Sequence, residues 1–188
     1  MKPSTWGYLA IGAVFVGLAT LPALGDIAGT KHDFTATGAT GVGQSKNTEL
    51  CSTCHIPHNP IGTAAPLWDH ATTALTNYTL YSSGTMNGAV AQPGGASTAC
   101  LSCHDGTVAV DAYGGGSGTV SISNGASTYV GTDLSNDHPV GVTYTTATAA
   151  DDGELHDPSG AASGVDGGTI QGDQLFGDKV ECASCHDV

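Results

Sequence analysis

Cys51-Ser52-Thr53-Cys54-His55-Ile56-Pro57-His58-Asn59-Pro60 is the stretch on which the reading of this chain turns. Its first five residues return in kind as Cys100-Leu101-Ser102-Cys103-His104 and as Cys182-Ala183-Ser184-Cys185-His186. The three copies use all 6 Cys of the 188 residues and three of the 8 His. They are unequally spaced, so the chain is not a strict repeat array. Two thiols one helical turn apart, followed at once by an imidazole, form the C-x-x-C-H attachment signature of c-type haem. Both thiols add to vinyl groups of the ring, and the imidazole then lies under the iron. The pattern predicts three covalently attached haems, held by Cys51 and Cys54, Cys100 and Cys103, and Cys182 and Cys185. His55, His104 and His186 are the proximal iron ligands.

Other uses of paired cysteines fit less well. Structural zinc needs two such pairs per metal, or His at finger spacing. A thioredoxin-like motif occurs once, near a βαβ pattern. Disulfides across two residues are strained and leave the trailing His unexplained. Composition narrows the function further. Net charge is −13, Lys and Arg together number 4, and Arg is absent. Phosphate neutralisation needs clustered cations, so nucleic acid is excluded as a partner. The acidic surface steers the chain toward cationic partners.

Residues 1–25 read as a signal peptide. Lys2 begins it, Tyr8 to Leu21 is almost wholly apolar, Pro22 ends the run, and Ala23-Leu24-Gly25 offers a small-residue cleavage site before Asp26. The retained-anchor reading rests on an apolar stretch near the roughly 20 residues that span a bilayer. Export to the periplasm or the cell exterior is the expectation, with 26–188 as a single haem domain.

A second axial ligand is needed for a haem that only carries electrons, and its identity tunes the potential. Once the signal is removed Met86 is the one methionine left, so His supplies this position. The candidates are His32, His58, His70, His138 and His156. His58 follows His55 by three residues and cannot reach the opposite face of the same ring, so it is expected on a different, adjacent iron. His138, in Asn136-Asp137-His138-Pro139, has an Asp placed to orient its ring. His70 follows Leu67-Trp68-Asp69, and both a ligand role and packing beside the indole remain open. His156 lies among carboxylates and reads as solvated.

His32-Asp33-Phe34, CSTCHIPHNP (51–60), APLWDH (65–70), ACLSCHDGTVAVDAYGG (99–115), SNDHPVG (135–141) and VECASCHDV (180–188) occur in that order. This ordered set resembles exported multihaem cytochromes with doubled CxxCH motifs, including the tetrahaem extracellular cytochromes that polymerise into conductive filaments. The resemblance implies that His32, His58 and His138 are the distal ligands, and that His70 and His156 are not. It also implies a homopolymer with haems stacked across subunits, and other redox proteins or extracellular electron acceptors as partners. The sequence departs from that pattern in holding three haem motifs where the family has four, which puts polymerisation in question.

The expected fold is mostly irregular coil with short helices and a few short strands, wrapped around stacked haems. Strands are read at Gly106-Thr107-Val108-Ala109-Val110-Asp111-Ala112-Tyr113, at 119–123, at Tyr129-Val130 and at 140–144 from period-two alternation. A short helix is read within 67–80, helical turns beside each motif, and loop from 151 to 177. No stable fold is expected without haem. The expected function is one-electron transfer through bis-His haems, with no catalytic residue. Rival readings are a monomeric periplasmic carrier, a haem subunit of a respiratory complex, and a multihaem reductase with one five-coordinate iron.

Overall fold

The computed structural model describes residues 27–35, 49–62, 64–165 and 167–186. The signal-peptide reading lies outside them. Among the described residues the chain is mostly irregular, with three short helices and one two-stranded antiparallel sheet, as the sequence predicts. Helix α1 is Gly95–His104, β1 is Val142–Thr143, α2 is Thr146–Asp152, α3 is Ile170–Asp173 and β2 is Lys179–Val180; a 3-10 turn over Cys182–Ser184 follows. Among the described residues no helix is long and apolar enough to cross a membrane.

Helix α1 contains the whole second motif. Gly94, its N-cap, has no side chain to bond the first turn, and the carboxylate of Glu181 accepts its N–H at 3.0 Å instead. At the other end Gly106 adopts φ +75°, and a Cβ there would stand 2.4 Å from the Tyr129 ring. Glycine thus both stops the helix and admits the aromatic ring. Helices α2 and α3 carry ordinary threonine caps: Thr145 accepts from the Thr148 N–H and Thr169 from the Gly172 N–H. They interrupt the stretch expected to be loop.

The helix expected within 67–80 does not form. Backbone groups there have distant partners: the Leu67 carbonyl accepts from Ile56, Asp69 N–H donates to Cys54, and Ala71 N–H to Ala112. Thr73 N–H donates to the Ser102 hydroxyl. An extended chain satisfies all four, and a helix would break them. Of the expected strands only 140–144 holds one, β1, paired Val142 to Val180 and Thr143 to Lys179. Stretches 106–113 and 119–123 do meet, Val110 N–H donating to Val120. The Asp111 carboxylate then accepts the amides of Thr119 and Val120, so a side chain replaces the ladder. Tyr129 N–H donates instead to the Ala126 carbonyl, and Val130 and Gly131 donate to the His104 carbonyl at the end of α1.

The apolar core is small: Tyr78, Leu101 and Leu134, with Leu75, Leu80, Val130 and Val140 packed on it. Tyr78 donates its hydroxyl to buried Asp105 at 2.7 Å, which ties the core to the residue after His104.

Candidate functional site

Each CxxCH segment folds into a single helical turn. His55 N–H donates to Cys51 at 2.9 Å and His186 N–H to Cys182 at 3.0 Å, while Cys100 to His104 is regular helix. The turn puts both thiols and the imidazole on neighbouring faces, as attachment to one ring requires. None of the six thiols is in a disulfide.

Two of the three CxxCH imidazoles are oriented by carbonyls. His55 Nδ1 lies 2.7 Å from the Pro66 oxygen, and His104 Nδ1 lies 2.7 Å from that of Thr128. A carbonyl only accepts, so Nδ1 carries the proton and Nε2 keeps its lone pair. That tautomer is the one a metal-ligating histidine adopts.

Opposed imidazoles form the second feature. The rings of His32 and His104 are 6.1 Å apart between centroids, and those of His138 and His186 are 6.2 Å apart. Histidine nitrogens bind transition metals at about 2 Å, and a ring centre lies about 1.1 Å further, so coaxial imidazoles on one metal stand roughly 6 Å apart. Rotation about the shared axis leaves the interplanar angle free, and here it is 61° in one pair and 22° in the other. The ring separations at both places therefore match that of two imidazoles on one metal. Burial, then the neighbouring His104, lowers the pKa of His32, which favours the neutral ring that can ligate. Among the described residues no three His, Cys, Asp or Glu side chains gather round one point.

The remaining histidines differ. His55 has Trp68 against it, 5.8 Å away and nearly perpendicular, and no imidazole. His58 is exposed between Pro57 and Pro60. His70 is 2 % exposed, with Nδ1 2.7 Å from the Ala71 oxygen and Nε2 3.6 Å from the Cys103 sulfur. It also packs 6.1 Å from the Trp68 ring, so it does lie beside the indole. His156 is exposed, and only its carbonyl is engaged, by the Tyr144 hydroxyl. Asp137 does not orient the His138 ring: His138 Nδ1 faces the Pro139 carbonyl at 3.4 Å, and Asp137 Oδ2 is buried without a hydrogen-bond partner.

The motifs are ordered in space with the second in the middle. Cys103 is close enough to Cys54 for charge on one to raise the other's pKa. Burial first, then Cys54 and Asp105, pushes the Cys103 thiol up to about 12; burial and Cys51 push Cys54 up to about 11. On the other side Cys100 and Cys182 adjoin, and their interaction raises the Cys100 thiol well above the usual range and lowers that of Cys182, one proton serving the pair. Thiols of successive motifs therefore adjoin.

A clamp holds the second and third motifs together. Buried Glu181 accepts from the Gly94 N–H and the Ser97 hydroxyl, and that hydroxyl oxygen accepts from Cys182 N–H at 2.9 Å. Sequence reading missed this pair, although Glu181 stands directly before the third motif. The carbonyls of Pro66 and Thr128 left no signal at all, since every residue has one. No family model matches this chain, and no curated protein matches it.

Proposed function

We propose that this chain is a trihaem c-type cytochrome that transfers electrons and makes or breaks no substrate bond. The observation that carries the reading is the pair of opposed imidazoles, His32 with His104 and His138 with His186, each beside a C-x-x-C turn. Haem iron, when bound, supplies a one-electron couple, and bis-His ligation sets it low compared with Met ligation.

The chain's own residues do three things. Cys51, Cys54, Cys100, Cys103, Cys182 and Cys185 anchor the rings, so that none dissociates. Carbonyls of Pro66 and Thr128 hold His55 and His104 with Nε2 free. Adjoining thiols, Cys54 near Cys103 and Cys100 near Cys182, set successive centres side by side, which favours rapid transfer between them. His58, exposed in its turn, serves an iron other than that of His55. In a homopolymer that iron lies in the next copy. Export and redox partners of cationic surface complete the reading, given the net charge of −13.

Intact mass and an absorption spectrum of the secreted protein test it. Three covalent haems with low-spin bands at the His104 and His186 centres are expected. A colourless protein, or one holding zinc, would end the proposal.

A further inference from the structure

Directly before the third motif stands a carboxylate that is 2 % exposed, that of Glu181. Glu is rarely buried to that degree without a cation beside it. Its partners here are the Gly94 N–H, 3.0 Å from Oε1, and the Ser97 hydroxyl on Oε2, and no cation is among them. Each oxygen has a donor, as a carboxylate requires, and neither donor carries a positive charge.

The seat is built around that group. A Cβ at position 94 would stand 2.7 Å from Oε1, so a side chain there would push the carboxylate off the start of α1. The Ser97 hydroxyl oxygen accepts from Cys182 N–H at 2.9 Å, and Glu181 N–H donates to the Ser184 hydroxyl at 2.9 Å. Carboxylate and third motif are therefore tied as one piece. Cys182 is close enough to Glu181 and to His138 to feel charge on each, and the His138 ring stands 6.2 Å from that of His186. His104, by contrast, ends α1, about 10 Å along the helix from Ser97 at 1.5 Å per residue.

Resting on the haem reading above, we infer that Glu181 tunes the third centre: its buried negative charge lowers the potential of the haem on Cys182 and Cys185 below what bis-His ligation sets, and does so more than for the second haem. Ferric iron carries one more positive charge than ferrous, so an interior carboxylate favours the oxidised state. For charges about 10 Å apart at an effective dielectric near 20, the effect is roughly tenfold in the one-electron equilibrium. Glu181 takes up no proton and makes no bond to the metal. The electron enters at iron, and the bias sends it from the third centre toward the second.

Potentiometric titration of the three-haem protein, followed by electron paramagnetic resonance, is the test. The third centre is the one whose low-spin signal His138→Ala removes. Glu181→Gln keeps the size and an acceptor for Gly94 and deletes the charge. It raises the midpoint of that centre by about 59 mV, the tenfold change for one electron, raises the second by less and leaves the first unmoved. Ser97→Ala breaks the same clamp but keeps the charge, so it leaves that midpoint in place or lowers it. No rise in Glu181→Gln, an equal rise at all three centres, or an equal rise in Ser97→Ala would overturn the inference, the last by showing a purely structural role. Where Glu181→Gln fails to load haem, the unaltered protein decides. Its redox infrared difference spectrum shows an ionised-carboxylate band that responds as the third centre is reduced, and a protonated-carboxyl band in its place overturns the inference equally. A protein without haem fails the earlier reading instead.

Discussion

At the residue scale the informative atoms are imidazole nitrogens. A histidine with Nδ1 held by a carbonyl has one lone pair left, and its direction is then a property of the backbone. His104 and His32 meet on those terms, and so do His186 and His138 by ring separation. Removing a distal partner should therefore act on one centre. His138→Ala is expected to turn one low-spin haem high-spin and raise its potential, with covalent haem content unchanged. Electron paramagnetic resonance of the ferric protein reads this directly, and His156→Ala, at an exposed residue, should leave the spectrum as it was. A spectrum unmoved by His138→Ala would remove His138 from the ligand set. His70 is the residue the sequence left undecided. Its burial against Trp68 and Cys103 gives it a packing contact that spacing alone did not reveal.

At the scale of elements, short pieces are held by bonds that cross long stretches of sequence. Glu181 joins the start of α1 to the third motif through Gly94, Ser97 and the amide of Cys182. Glu181→Ala removes charge-assisted hydrogen bonds and leaves the Gly94 N–H unpaired, so a loss of about 2–4 kcal/mol in denaturant unfolding of the haem-loaded protein is expected. Glu181→Gln, which keeps an acceptor for Gly94, should lose less. Gly141 joins the His138 segment to β1. It sits at φ +73°, and a Cβ would come within 2.4 Å of the Ala91 oxygen, a backbone atom that cannot swing away. Gly141→Ala combines strain with that clash and is expected to cost more than about 1 kcal/mol. The same measurement checks it, with Gly160→Ala, in open space, as the neutral control.

At the scale of the whole molecule the shortage is apolar mass. Tyr78, Leu101 and Leu134 with four partners form the cluster, whereas chain entropy costs roughly 1–2 kcal/mol per ordered residue. Haem faces would supply large apolar area at about 25 cal/mol per Å². A variant with all six cysteines changed to serine should therefore be digested rapidly by protease where the haem-loaded protein resists, and a compact, resistant haem-free form would contradict this. Acid acts through carboxylates. The Gly29 amide first, then the Thr35 hydroxyl, hold Asp33 below the usual carboxylate range; Ser135 does so for Asp133, and Thr146 with Ser159 for Asp157. Burial works to raise Asp111, but the amides of Val120 and Thr119 outweigh it and its pKa is also lowered. A depressed folded pKa gives stability that is complete above the unfolded value of about 3.9 and lost as pH falls through the folded one. Thermal midpoints should hold steady near neutrality and drop below about pH 4, and Asp111→Asn should reduce that drop.

The texture of this protein was legible in its sequence because it is local. C-x-x-C-H fits one turn of helix, and a chain rich in glycine with no sustained 3.6-residue period yields short elements and coil. His32 and His138 stood out by their motifs for the same reason. Which imidazole lies beside which CxxCH histidine, the middle place of the second motif and the Glu181 clamp were settled only by the tertiary structure. The extended path of 67–80 belongs with them. Each depends on partners far apart along the chain, often plain backbone carbonyls or amides, and a group that every residue carries leaves no mark in a sequence until the fold brings it within hydrogen-bonding distance.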